Sequence, residues 1–411
     1  MNPDPGQAEL NQAVNEAMGS SIDLTRALEQ YLMKYPGSPR EAEIETSLYK
    51  TANDSNDNAR IVLYGERLLS RPSDNELELL DRVARALLTS EDTTAAKKAL
   101  AYGKRYEAAV ANMRVRAPES HATAAQWADL ADRALSRALN IEARATGYLG
   151  NPEEAVANAM RSWNLLPCAE SAHEIARWTA KLGRDADAIE YYTDAVTIED
   201  SRSSWADRDR DRKLASTLYV KLHGSSEGFG DVLVQAWDRA AAAVHAHMAR
   251  YRAMDPNYGV SDIFAFQLPA VNGELESLPS SPAPALDMGG LKGKTLVVDF
   301  WATWCLPCIA QHPLIEHVEQ AYAQSPDIVF LSVNADEEHD LVAPFLKKQN
   351  WEQHVYLEAG LASVLNVTAL PTMFIVDPSG KIFSRMGGIE PEAFERILKA
   401  RIEEARAVAA K

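Results

Sequence analysis

The sequence predicts a multidomain chain of class α plus α/β: an all-helical array over residues 7–253, a linker at 254–260, and a mixed α/β domain over 261–406. Three observations carry this. Through the first part, apolar residues recur at three- and four-residue spacing between short polar breaks such as "YPGSPRE", "RPSDNE" and "LGNPEE". Composition then changes after "RYRAMDPNYGV". From there to the end, apolar strand-like runs alternate with helical patterns. A chain of 411 residues has room for two or three such units.

In the helical part, "GYLGNPEEAVANA" and "AKLGRDADAIEYY" superpose at an offset of 33, placing Leu149 on Leu182, Gly150 on Gly183 and Ala155 on Ala188. Each block reads as helix, tight turn at glycine, second helix. "SWADRDRDRKL" reads as a helix start whose opposite charges stand at interacting spacing. In the second part, "DIFAFQLPAVNGELESL" is expected to form two short strands turning at Asn272-Gly273, and "PSSPAPALDMGG" a loop. "TLVVDFWA" should be a buried strand and Pro307 to about Gln324 a helix kinked at Pro313. "DIVFLSVNAD" reads as a strand and "EHDLVAPFLKKQN" as a helix. "TMFIVDP" and "KIFSRMGG" form a strand pair, and "PEAFERILKARIEEARA" closes the domain.

The formal charge of −17 is spread over both halves, and no basic block is available for phosphates, so nucleic acid is an unexpected partner. Three cysteines exclude a disulfide-stapled scaffold, and no run approaches the ~18 apolar residues of a membrane span. "MNPDPGQAELNQAVNEA" lacks the basic and apolar regions of a signal peptide, so either the protein stays in the cytosol or a leader has been trimmed or the start misassigned.

Two of the cysteines, Cys305 and Cys308, stand in "VVDFWATWCLPC". A zinc site would need a second ligand pair; Cys168 is distant, and His312 and His317 sit five apart on one helix. A structural bridge across two residues closes too small a loop to constrain the unfolded chain. Redox chemistry remains. A sulfur at the end of a buried strand and the start of a helix meets free N–H groups and the helix dipole, which favour a thiolate. Cys305 is therefore expected to be the exposed nucleophile and Cys308 the shielded resolving thiol, with Pro307 suited to the first helical turn. No metal or organic cofactor is called for beyond the Cys305–Cys308 disulfide itself.

"VVDFWATWCLPC" together with "LNVTALPTMFIVDPSGKI" resembles the thioredoxin fold, and more narrowly the TlpA/ResA-type thiol–disulfide oxidoreductases, over roughly residues 260–405. The resemblance implies that Pro371 is cis and presents the backbone of Leu370 to a substrate chain. It also implies that a client disulfide and an upstream reductant are the partners. Trp304, which precedes the nucleophile, reads as shaping the substrate face with Leu306 and Pro307, with core packing as the alternative for Trp304 and Trp301. The family commonly carries a glutamate three residues after the second cysteine; Gln311 stands here instead. Asp299 matches the buried aspartate of cytosolic-type thioredoxins. It is then either the proton acceptor for Cys308 or a satisfied polar strand residue, and the match on both sides favours the acceptor. The lysine that partners this aspartate aligns with Ser332. The family implies the cell envelope.

The helical blocks at roughly 140–200 resemble tetratricopeptide repeats, an α-solenoid whose concave face would hold a peptide or protein; a plain helical bundle is the alternative. Two other functions stay open. One is a thiol peroxidase, although "DFWATWC" lacks that group's Pro-x-x-x-Thr/Ser-x-x motif; the other is a repeat scaffold with a vestigial redox domain. Cys168 reads as a small buried residue, "HAHM" at 245–248 as a surface pair and "DEEHD" at 336–340 as a solvated acidic loop.

Overall fold

A computed structural model describes residues 6–17, 19–72, 75–115, 123–271, 285–387 and 391–408. The chain divides into two compact units, Met1–Arg250 and Tyr251–Lys411.

The first unit is helical. Its described residues form α1 (Gln7–Glu16), α2 (Ser21–Lys34), α3 (Glu41–Asp54), α4 (Asn58–Leu69), α5 (Glu76–Leu87) and α6 (Thr93–Val115). They continue as α7 (Ala124–Tyr148), α8 (Pro152–Leu165), α9 (Ala169–Lys181), α10 (Asp185–Thr197), α11 (Trp205–His223) and α12 (Phe229–Arg252). From α1 to α11 each helix packs on its chain neighbours, and α7 also reaches α5 and α9. Starts are fixed by side chains: Thr123 and Ser204 each form a capping box, with Gln126 and Asp207, and Asp57 accepts from the Arg60 N–H. The charge pairs expected in α11 form, Arg210 with Asp207 and Lys213 with Asp209.

The 33-residue offset is visible in the backbone. Leu149 and Leu182 cap α7 and α9, and Gly150 and Gly183 follow them at φ +88° and +75°, a left-handed turn that a side chain would strain. Ala155 and Ala188 are then fully buried. Small residues let α7 and α9 approach closely. A Cβ placed on Gly147 would lie 2.2 Å from the buried ring of Trp178, whose Nε1 donates to Glu174 at 2.9 Å. Gly147→Ala should therefore destabilise this unit by about 1–2 kcal/mol, overpacking outweighing the gain of about 1 kcal/mol in helix propensity. Urea unfolding followed by helical circular dichroism checks this, and an unchanged or raised midpoint contradicts it.

The second unit holds a five-stranded mixed sheet covered on both faces and a separate two-stranded antiparallel sheet. Its strands are β1 (Gln267–Pro269), β2 (Ala285–Asp287), β3 (Thr295–Trp301), β4 (Ile328–Asn334), β5 (Val355–Leu357), β6 (Thr372–Val376) and β7 (Ile382–Met386). Its helices are α13 (Leu306–Ala321), α14 (Val342–Gln349), α15 (Leu361–Val364) and α16 (Pro391–Val408). The sheet order is β5-β4-β3-β6-β7, with β3, β4 and β5 parallel and β6 and β7 antiparallel to their neighbours. β3 is central and buried on both faces, which is why it reads as a near-continuous apolar run. Leu296, Val298 and Phe300 pack with Phe266, Leu361 and Phe374 on one side. Val297 packs with Ile315 and Val318 of α13 and Phe394 of α16 on the other.

Three expectations change. The Asn272-Gly273 turn lies outside the described residues, but the partner of β1 is Ala285–Asp287, inside the stretch expected to be loop. The edge strand β5 and the short α15 were not foreseen. α13 runs from Leu306 to Ala321 with Pro313 inside it, ending short of Gln324. Asn257, ahead of β1, donates from Nδ2 to the carbonyls of Gln267 (2.8 Å) and Ala359 (3.1 Å).

Candidate active site

Cys305 and Cys308 meet at the N-terminus of α13 as a disulfide, with Cα atoms 5.3 Å apart. Cys305 is the N-cap of the helix, and its Sγ accepts the Cys308 N–H at 3.2 Å. That bond, with the helix dipole behind it, stabilises negative charge on the Cys305 sulfur when the bridge opens. Pro307 sits in the first turn, where its missing donor costs nothing.

The expectation of an exposed Cys305 is corrected: in the bridged form Cys305 and Cys308 are both buried, 3% and 4% exposed. The sulfur is turned in against the first helical turn, while its neighbours Trp304 (68%) and Leu306 (76%) project outward beside exposed Pro307. Below them, Trp301, Ala302, Val342 and Val355 pack with the two cysteines, and half-buried Leu370 joins that cluster. The Leu370–Pro371 peptide is cis, as the resemblance implied.

A further support escaped the sequence reading. Asp336, expected in a solvated acidic loop, is 4% exposed. Its carboxylate accepts from the Thr303 N–H and the Thr303 hydroxyl, each at 2.7 Å, and from Asn334 Nδ2 at 2.7 Å. It thereby clamps the loop between β3 and Cys305. Nothing local marks this role: residues 33 apart meet only because β3 and β4 pair in register. His247 is likewise not on the surface but buried beside Arg250 and Asp129. Cys168 is buried at the start of α9 in the first unit.

Asp299 lies in β3 opposite Ser332 of β4 and Met373 of β6. Its Oδ1 is buried with no hydrogen-bond partner, and desolvation pushes the carboxyl up to about 7. Ser332, standing where thioredoxins place a lysine, gives its hydroxyl to other groups: Oγ accepts from Trp301 Nε1 at 2.8 Å and Gln353 Nε2 at 3.2 Å. Gln311 is half-buried. The two histidines weighed as zinc ligands diverge: His312 is buried against Trp351, whereas exposed His317 pairs with Glu395 of α16 at 2.9 Å.

A family model described as thioredoxin-like matches residues 293–382. The thiol-disulfide oxidoreductase ResA of Bacillus cereus is 29% identical over 105 residues, 25% of this chain and 60% of that protein. The thiol:disulfide interchange protein HelX of Rhodobacter capsulatus is 31% identical over 138 residues, 33% of this chain and 73% of its own length. The chain belongs to the thioredoxin-like thiol–disulfide oxidoreductases. A solved thiol:disulfide interchange protein DsbE, described as putative, from Chlorobium tepidum aligns over 34% of this chain and 92% of its own at 24% identity, with a TM-score of 0.29 that carries no weight. The thioredoxin-like unit is C-terminal, and the Cys305–Cys308 disulfide is its redox-active group. The chain spans 60% of the length of the ResA relative, and the family match leaves the helical unit untouched.

Proposed function

We propose that the whole protein is a protein-disulfide reductase whose helical unit recruits the client or the reductant. The observation that carries the reading is the pairing of a helix-capping Cys305 sulfur with half-buried Asp299 in the preceding strand, whose Oδ1 is buried without a partner. In the dithiol form, the Cys305 thiolate attacks a client disulfide. A Cys305–client bond forms, and the client's other sulfur leaves as a thiolate. Asp299 takes the proton of Cys308. The Cys308 sulfur then attacks Cys305, closing the enzyme disulfide and releasing the second client thiolate. Two electrons pass to the client, and an upstream dithiol restores the enzyme. Trp304, Leu306 and Pro307 offer the client an exposed apolar rim, and Leu370 with Pro371 offers backbone for strand-like pairing.

The matched geometry at Gly150 and Gly183 supports reading the helical unit as tetratricopeptide-like repeats. Its binding face is a cavity of about 560 Å³ lined by Arg85, Arg144, His173, Arg177, Arg202 and Arg210 together with carboxylates. Burial works against the charge of Glu170 there, but Arg85, Arg144 and Arg202 hold its carboxyl down at about 2, so Glu170 stays charged at physiological pH. A cell-envelope location follows from the family resemblance. Among the described residues, no helix is long and apolar enough to cross a membrane.

The test is capture. Cys308→Ser in the full chain should hold its client as a mixed disulfide, resolved by mass spectrometry after non-reducing separation. Charge reversal at the cavity rim, Arg177→Glu with Arg210→Glu, should lower client capture relative to reduction of a small-molecule disulfide. Equal loss in both assays, or none in either, removes the recruiting role.

A further inference from the structure

We propose that a cavity lined by Asp299 and His312 is the proton exit of the resolving step, and that His312 is the residue that carries the proton through it. This rests on the reading of Asp299 as acceptor of the Cys308 proton. The cavity, about 320 Å³, lies between β3, β4 and α13 and is lined by Asp299, His312, Glu319, Ser332, Gln353 and His354 among apolar side chains. It is polar and roomy enough for water. Cys308 and His312 stand one helical turn apart on α13.

The imidazole is held from two sides. It stacks on Trp351 with ring centroids 3.5 Å apart and planes inclined by 24°, and it is 7% exposed. Gln353 Nε2 lies 3.3 Å from His312 Nδ1, and the same amide nitrogen donates to Ser332 Oγ. An amide nitrogen only donates, so Nδ1 is the acceptor in this arrangement and the ring proton is on Nε2. A neutral imidazole can take a proton at one nitrogen and release it from the other without moving, provided the Gln353 amide turns its oxygen to the newly protonated Nδ1.

Such a carrier answers a specific need. Asp299 must lose its proton before the next cycle, its buried Oδ1 has no partner to take it, and the hydroxyl oxygen of Ser332, opposite it on β4, is engaged by Trp301 and Gln353. Burial lowers the imidazole pKa and Glu316, one turn on, opposes this, so His312 is neutral and receptive at rest. The other titratable groups around it are Asp299 from β3, Glu319 from α13, itself raised by burial and by Glu316, and exposed His354 ahead of β5. Glu319 and His354 set the way out.

The step balances as proton transfer alone. The Cys308 S–H bond breaks and its proton goes to Asp299. The freed thiolate forms the Cys305–Cys308 bond, and the electron pair of the mixed disulfide leaves on the client sulfur. Asp299 then passes the proton through cavity water to His312 and on to solvent.

The test separates the two half-steps by rapid mixing with a chromogenic disulfide. Attack by Cys305 is measured in a Cys308→Ser background and resolution with Cys308 present. His312→Phe keeps the stack on Trp351 but cannot titrate; it should slow resolution about ten-fold at pH 7 and leave attack unchanged. His312→Ala should slow resolution equally and recover with added imidazole, a recovery the filled His312→Phe site should not show. Resolution within about two-fold of the unsubstituted chain in His312→Phe overturns the proposal. So does equal slowing of attack and resolution, or His312→Ala without rescue. If the unsubstituted chain reduces no disulfide, the reading of the site itself has failed, and that result is read before any His312 variant.

Discussion

Replacing Cys305 with serine is expected to remove disulfide reduction by the full chain, a loss of about 10³-fold or more, because the Cys308 thiol left behind is buried inside the first helical turn and lacks the N-cap position that favours a thiolate. Cys168, the remaining cysteine once the pair is set aside, is buried in the helical unit beside Ser171. Cys308→Ser should behave differently. It retains the first attack, since the Cys305 sulfur keeps its place at the helix start and the backbone N–H of residue 308, but turnover stops at the mixed disulfide. Insulin reduction by dithiothreitol, followed by turbidity, measures the first effect, and non-reducing electrophoresis the second. The two rival functions give other patterns. A thiol peroxidase keeps peroxide-dependent turnover in Cys308→Ser, and a scaffold with a vestigial domain loses nothing in Cys305→Ser. Unchanged insulin reduction in Cys305→Ser would sink the reductase reading.

The parts of the site legible in the sequence are those built from neighbours along the chain. Cys305, Pro307 and Cys308 span a single helical turn, so spacing alone places both sulfurs at a helix start. β3 is legible because a central strand covered on both faces needs an apolar run, against which Asp299 stands out. The glycine turns of the helical unit show for the same reason: Gly150 and Gly183 follow helix ends locally, and Ala155 and Ala188 sit at fixed distances beyond them.

What stayed hidden depends on pairing across the fold. Asp336 looks solvated among its acidic neighbours and becomes a clamp only when β4 sets it beside Thr303. His312 has no mark beyond standing four residues after Cys308; Trp351 and Gln353, which hold it, arrive from the far side of α14. β5 is three residues long, too short for any periodicity, and owes its strand geometry to β4 and to the Val271 N–H that donates to the Val355 carbonyl. The burial of Cys305 is likewise a matter of side-chain direction, with Trp304 and Leu306 taking the outward positions.

Asp299→Asn should make the thioredoxin-like unit more stable and the enzyme slower, and the two effects should share one pH dependence. A carboxyl held at about 7 in the folded chain, against an ordinary value of 3.8, binds its proton more tightly folded than unfolded. Its favourable contribution is therefore fully present below pH 3.8 and is lost as pH rises through 7. The full span corresponds to about 4 kcal/mol, and water reaching the cavity reduces it, so a gain of about 2–4 kcal/mol is expected for the amide at pH 8. Hydrogen exchange of the β3 amides in urea, in the full chain, should show the gap between variant and parent widening from pH 4 to 7 and flat above. A gap independent of pH would mean that Asp299 is not the titrating group. The same substitution removes the acceptor for the Cys308 proton, so resolution should slow by about 10²-fold and its rate should lose the inflection near 7. Stability gained and turnover lost at the same pH is the signature of a buried acid kept for its proton, because a carboxylate serving only the fold would be replaced at no cost to the reaction.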